Sequence, residues 1–197
     1  MFKRQIFCAP KILLTFLYLW MNVTALPVSV NPSPNGYPIS VTPFDQKLSQ
    51  CGFFNLNRNP VADTFPGFGS LQNLFFVAKS FRYVSDGSRD HWQTPQETEV
   101  KRSGDCEDKA LWLITKLKQS GFSNLRLVIG RYRNFDKKLH VWLTYTTPTG
   151  KTYLLDPTIQ KRVWNISDFD SKVYIPLLAY ENGNRYFYGR TGFRSIP

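Results

Sequence analysis

Imidazole and thiol are scarce in this chain. It has two histidines, His91 and His140, and three cysteines, Cys8, Cys51 and Cys106, so chemistry that needs either group has few places to reside. Acid is also short: 14 aspartates and glutamates stand against 25 lysines and arginines, a net charge of +11. A basic surface suits an acidic protein substrate or an anionic envelope surface. Nucleic acid is not indicated, because the positive residues are dispersed and no nucleic-acid motif accompanies them. Internal repeats are lacking, and so are long apolar runs apart from one near the start. With 197 residues, 42% of them hydrophobic, the chain can bury one core but not two full domains.

The one apolar run, Ile12 to Met21, follows Lys3, Arg4 and Lys11 and precedes the small residues Val23-Thr24-Ala25. About 20 apolar residues are needed to span a bilayer as a helix, and this run is about half that. It reads as a secretory signal over residues 1–25, cleaved near Ala25, with an uncleaved N-terminal anchor as the alternative. The mature protein is then periplasmic or secreted, in a bacterial envelope, with no stable membrane span. Cys8 lies ahead of the run, unlike a lipoprotein attachment site, and leaves with the signal. Cys51 and Cys106 remain. In an exported chain they either form a disulfide or stay free, Cys51 as a buried thiol and Cys106 as a reactive one.

Residues 26–69 read as a Pro-rich arm and an irregular N-terminal segment. Pro27, Pro32, Pro34, Pro38 and Pro43 predict an extended arm over 27–45 rather than core, and residues 52–69 an irregular packed loop. The catalytic domain is expected over 70–190. Ser70 stands as N-cap to a helix carrying Leu71, Leu74, Phe75, Ala78 and Phe81. A second helix carries Cys106, Ala110, Leu113 and Leu117 on one stripe and closes at Gly121. A strand with Leu125, Leu127 and Ile129 leads through Gly130 into a basic loop over 131–138. Two hairpins follow, one turning at Thr147–Lys151 and one at Asn182-Gly183. The fold class is therefore α+β: N-terminal helices, with the helix of Cys106 packed on the antiparallel sheet face that carries His140.

Cys106 is the most informative residue. It stands in Ser103-Gly104-Asp105-Cys106-Glu107-Asp108 at the first turn of its helix, where unpaired N–H groups carry roughly half an elementary charge and favour thiolate. His140 and Asp156 lie on the two strands of the first hairpin, equidistant from Pro148, which predicts that they face each other within a residue or so of register. An imidazole beside a carboxylate is oriented and made more basic, as a thiol's partner must be. Leu139, Val141 and Leu143 take one face of their strand, His140 and Trp142 the other. His91 is the only other imidazole and reads as a surface residue. Gln93 and Gln96 stand before the nucleophile, where an amide could serve an oxyanion hole or simply face solvent.

Asp105, Glu107 and Asp108 oppose the helix end, since carboxylates beside a thiol raise its pKa. A hard cation on their oxygens would neutralise them, with loop ligands completing its shell; so would Lys101, Arg102 or Lys109.

The run from Trp92-Gln93-Thr94-Pro95-Gln96-Glu97 through Gly104-Asp105-Cys106-Glu107-Asp108 to Asp156 resembles the bacterial transglutaminase-like cysteine proteinases, a group of the transglutaminase-like superfamily containing periplasmic proteases that cut surface adhesins. The resemblance implies a papain-like Cys-His-Asp core, with Cys106 as nucleophile, His140 as base and Asp156 as orienting acid. It also implies Ca²⁺ at the acidic motif and a protein or peptide substrate, acidic or on the cell surface. The strings His140-Val141-Trp142 and Leu155-Asp156-Pro157-Thr158 are closer to generic transglutaminase-like domains. Besides hydrolysis, acyl transfer to an amine and a non-catalytic binding module retaining the fold are the alternative functions.

Overall fold

Helix-period and strand-period patterns succeed one another along this chain, and the fold follows that order. The computed structural model describes residues 36–58, 66–87, 90–133, 138–170 and 172–189. The expected signal over 1–25 and the first ten residues of the expected arm lie outside them.

A short strand β1 (Tyr37–Ile39) precedes helix α1 (Asp45–Gln50) and a 3-10 turn at Phe53–Arg58. Helix α2 (Phe68–Ser80) starts two residues before the expected Ser70 cap and leads into β2 (Arg82–Tyr83). Helix α3 (Pro95–Lys101) begins with a capping box, the Thr94 hydroxyl accepting from the Glu97 N–H and the Glu97 carboxylate from that of Thr94. Strand β3 (Ser103–Gly104) runs directly into helix α4 (Cys106–Gln119). The rest is sheet: β4 (Leu125–Tyr132), β5 (His140–Thr146), β6 (Thr152–Leu155), β7 (Trp164–Asn165), β8 (Tyr174–Glu181) and β9 (Asn184–Phe187). Seven strands form one antiparallel sheet in the order β1-β9-β8-β4-β5-β6-β7, while β2 and β3 pair parallel in a small separate sheet.

The central helix α4 is buried nearly all round and packs with α2, α3 and β5. Its Leu111, Leu113, Ile114 and Leu117 join Leu127, Ile129, Val141 and Leu143 in the main core. Trp142 and Val128 point the other way, into a second cluster with Leu154, Tyr174 and Ala179. The alternation along β5 is as expected, but α4 covers the Val141 and Leu143 face, not the face of His140. Aliphatic residues decide this: helix burial follows the larger apolar surface.

The N-terminal segment also departs from the expected arm. β1 pairs with β9, Leu48 is fully buried, and Cys51 and Phe53 belong to the main core. Its prolines are compatible with this because β1 is an edge strand, where a missing N–H costs nothing. Asp45 and Arg185 form an ion pair at 2.9 Å, and the Thr42 hydroxyl meets that of Tyr180, so side chains as well as strand pairing fasten the segment.

Candidate active site

Each chemically interesting side chain is placed by a specific element end. Cys106 is the first residue of α4, reached directly from β3. His140 is the first residue of β5. Asp156 follows the last residue of β6. The β5–β6 pairing of Leu143 with Leu155 and Thr146 with Thr152 continues to set Asp156 across from Trp142, two residues from His140. The turn is centred on Thr149, with Gly150 in the left-handed region at φ 83°, rather than on Pro148. An even offset keeps both side chains on one face, and they meet diagonally: His140 Nε2 lies 2.7 Å from Asp156 Oδ2.

Asp156 is completely buried and fully satisfied. Its Oδ2 also accepts from the Tyr174 hydroxyl at 2.7 Å, and its Oδ1 accepts the N–H groups of Thr158 and Ile159 at 3.0 and 3.1 Å. Gln160 Nε2 donates in turn to the Tyr174 oxygen at 2.8 Å. The carboxylate therefore cannot rotate away, and it holds the imidazole through Nε2, leaving Nδ1 as the nitrogen available to a thiol. Trp142 stacks on the His140 ring at 6.0 Å between centroids, and Tyr132 meets it edge-on at 6.3 Å. Gly130, opposite His140 in β4, makes room for this: a Cβ there would lie 2.6 Å from the Trp142 ring and 2.2 Å from the Ile175 carbonyl oxygen.

Cys106 is a free, half-buried thiol, and Cys51 is a free, buried one donating to the Trp92 carbonyl at 3.2 Å. No disulfide joins them. The Val141 N–H, one residue from His140, bonds to the Cys106 sulfur, bringing the α4 terminus to the start of β5. The thiol itself donates to Glu107 Oε2 at 3.0 Å. Burial, then Glu107 and Asp105, push it far above the ordinary thiol range, against the small opposing pull of the Val141 N–H. Burial and the acid motif together favour the protonated thiol.

The three carboxylates of that motif divide. Asp108 is wholly buried and structural: its Oδ1 accepts the Gln93 N–H at 2.7 Å, and its Oδ2 accepts the Asp105 N–H at 3.3 Å. Asp105, Cys106 and Glu107 instead bring their ligand atoms within 4.8 Å of one another. Asp105 is pushed up to about 8, by burial first and then by its hydrogen bond and charge contact with Glu107. Asp105 Oδ1 is buried without a hydrogen-bond partner, and so is Oδ2 of Asp86, whose charge acts on both Asp105 and Asp108. Asp86 was not legible in the sequence, since nothing local marks a loop aspartate twenty residues upstream. The cationic alternatives lie elsewhere: Lys109 is buried near Asp156 and Lys79, Arg102 lies 4.5 Å over the Phe81 ring, and Lys101 acts on Glu97.

Gln93 is buried, with its Oε1 lacking a partner, so it is not the solvated glutamine of the alternative reading. Gln96 is exposed on α3, and His91 is exposed beside Trp92.

With this geometry in hand, comparison with known proteins is informative. No protein-family model and no curated protein matches the chain. Among solved structures, calcium-bound LapG from Legionella pneumophila superposes with a TM-score of 0.54 at 20% identity, over 80% of this chain and 86% of that one. An EGTA-treated LapG gives a TM-score of 0.53 at 21% identity, over 75% and 79%. The chain has the LapG fold. The expected α+β architecture, a papain-like and transglutaminase-like core with helices ahead of an antiparallel sheet, is therefore the one observed. The likeness to LapG extends over most of both chains.

Proposed function

We propose that this protein is an exported cysteine hydrolase of the transglutaminase-like type, cleaving peptide or amide bonds. One observation carries the reading: a histidine held by a buried, fully hydrogen-bonded aspartate stands next to the residue whose N–H bonds to a free cysteine at a helix N-terminus. His140 Nδ1 takes the Cys106 proton as the sulfur attacks the substrate carbonyl carbon, and the same proton passes to the leaving amine as the C–N bond breaks. Water then attacks the thioester, giving its proton to His140; the C–S bond breaks and the thiol is regenerated. Asp156 keeps the imidazole in the required tautomer and steadies its charged form. The Gln93 Nε2–H donates to the developing oxyanion, a role that its burial beside the N-terminus of α4 favours.

The donor set fits a hard cation. Asp86, Asp105 and Glu107 would hold it, because two of their oxygens are buried with no partner in the protein and all are carboxylate, the ligand type calcium takes. A calcium ion there supplies positive charge against the carboxylates that keep the Cys106 thiol protonated. Asp108 is engaged by the Gln93 and Asp105 N–H groups and stands outside the cluster of ligand atoms, so we give it a structural role in place of the expected ligand role. That the LapG fold includes a calcium-bound form supports this assignment. We read residues 1–25 as the cleaved signal and residues 70–190, completed by the N-terminal segment from β1 onward, as the catalytic domain, the chain working in the periplasm or outside the cell on a protein substrate. Among the described residues no helix is long and apolar enough to cross a membrane.

Iodoacetamide labelling followed by peptide mapping tests the reading. Cys106 should label rapidly in calcium and Cys51 should not, with His140→Ala slowing Cys106 at least tenfold. Equal labelling of both cysteines, or inactivation by His91→Ala in place of His140→Ala, overturns it.

A further inference from the structure

The small β2–β3 sheet has a consequence for how a substrate is held. β3 leads without interruption into Asp105 and Cys106, so whatever lies along this sheet is carried to the nucleophile. β2 pairs with β3 on one side only; the Arg82 N–H donates to the Arg102 carbonyl at 3.0 Å and the Val84 N–H to that of Gly104 at 3.2 Å. In a strand, alternate residues direct their main-chain groups to opposite edges. Arg82 and Val84 face β3, so the N–H and C=O of Tyr83 face outward, and no strand among the described residues meets them.

That edge is exposed and apolar. Tyr83 is 54% exposed and Val84 is 40% exposed. Tyr83 is also close to the reacting group: its phenol is pushed above the ordinary range by burial and then by Cys106, Asp105 and Glu107. An open strand edge with apolar side chains is a liability for aggregation, and a two-residue strand bordering an active site is where one can be kept for use.

We propose that the free edge of β2 is the substrate-docking strand. An extended polypeptide lies antiparallel to it, exchanges both main-chain hydrogen bonds with Tyr83, and sets an apolar side chain on Tyr83 and Val84, which leads its scissile bond across Cys106. This rests on the hydrolase reading above and names its substrate class: an unfolded or linker segment with a large apolar residue beside the cleavage point, not a folded surface. Tyr83 is a binding residue here through its backbone, and a specificity residue through its ring.

The test uses the full-length protein in calcium and two matched alkylating probes, benzyloxycarbonyl-Phe-Ala-fluoromethyl ketone and its counterpart methylated on both amide nitrogens. Each alkylates the cysteine sulfur with loss of fluoride, and the methylated probe cannot donate to a strand. The wild type should react at least tenfold faster with the unmethylated probe. In Tyr83→Pro, which deletes the outward N–H that donates to the probe carbonyl but keeps the carbonyl that accepts from the probe, the rate with the unmethylated probe relative to iodoacetamide should fall at least fivefold; a ratio within each protein cancels changes in thiol reactivity. In Tyr83→Ala the ratio between the two matched probes should persist, while preference for Phe-Ala over Ala-Ala probes is lost. A wild-type ratio under twofold, or a probe-to-iodoacetamide ratio unchanged in Tyr83→Pro, overturns the docking strand while leaving the nucleophile in place. Cys106 reacting with iodoacetamide no faster than Cys51 would instead sink the hydrolase reading, and the docking strand with it. Should Tyr83→Pro fail to fold, the wild-type ratio and Tyr83→Ala decide alone.

Discussion

Asp156 is the residue on which the site turns. Its four donors come from His140, Tyr174 and the two N–H groups that follow Pro157, so its orientation is overdetermined. Asp156→Asn should cut labelling and turnover by orders of magnitude, because the amide presents the wrong group to Nε2, while the unfolding midpoint moves much less. Tyr174→Phe removes one donor and leaves three; a typical hydrogen bond is worth ~0.5–1.5 kcal/mol, so turnover should fall by about three- to tenfold. Steady-state kinetics on any cleaved substrate separate the two. Cys51 provides the contrast. Burial, then the negative charges of Asp108, Glu97 and Glu107, push it up to about 11, so it should stay unalkylated through about pH 9 in the native protein, as mass mapping can show. Equal labelling of Cys51 and Cys106 at neutral pH would contradict this.

At the scale of elements, the first turn of α4 shows how acids of one motif acquire different work. Asp108 ties the segment before α3 to the helix N-terminus, and Gly104 is small because a Cβ there would lie 2.6 Å from the Asp108 side chain. Asp108→Ala should therefore destabilise the fold with or without calcium, by about 1–3 kcal/mol for the unsatisfied buried N–H groups it leaves, and so lower the thermal midpoint in both conditions. Asp105→Asn and Glu107→Gln should abolish only the calcium-dependent part. Differential scanning calorimetry in calcium and in EGTA distinguishes them. The motif itself was legible because a thiol among acids at a helix start is chemically conspicuous, and the His140 and Asp156 pair because hairpin parity places them on one face. The two-residue offset was not legible, since the turn's centre depends on whether Thr149 or Gly150 takes the left-handed conformation, which Pro148 cannot. Nor was the helix-covered face of the sheet: alternation separates two faces without saying which one a helix takes, and here Trp142 and Tyr174 build a second apolar cluster on the other side.

For the whole molecule, calcium removal is the first expectation. EGTA should lower the Cys106 labelling rate and the thermal midpoint together, both returning on adding Ca²⁺, since a ligand that binds only the folded state stabilises it by mass action. Asp86→Asn should reproduce the chelated state; if EGTA moves neither quantity, the carboxylates cap the helix and no more. Acid should act elsewhere. Burial raises Asp45, but its hydrogen bonds to Arg185 and Thr42 more than reverse this and hold the carboxyl below its ordinary 3.8. A carboxyl depressed in the folded state contributes stability above its unfolded value and loses it as pH falls through the folded one. The difference in urea midpoint between wild type and Asp45→Asn should thus be present at neutral pH and be lost as pH falls below 3.8 through the lowered folded-state value.

The pairing of β1 with β9 also governs when the molecule can become complete. Tyr37 meets Phe187, and Asp45 meets Arg185, so β1 waits on β9, the last of the described strands to be made. Contacts separated by about three-quarters of the chain close slowly, because the loop entropy must be met before any of them forms. Until β9 arrives, Leu48, Cys51 and Phe53 have no finished sheet to dock against. A polypeptide built this way stays open through most of its synthesis, and locks its entrance segment only once β9 has emerged.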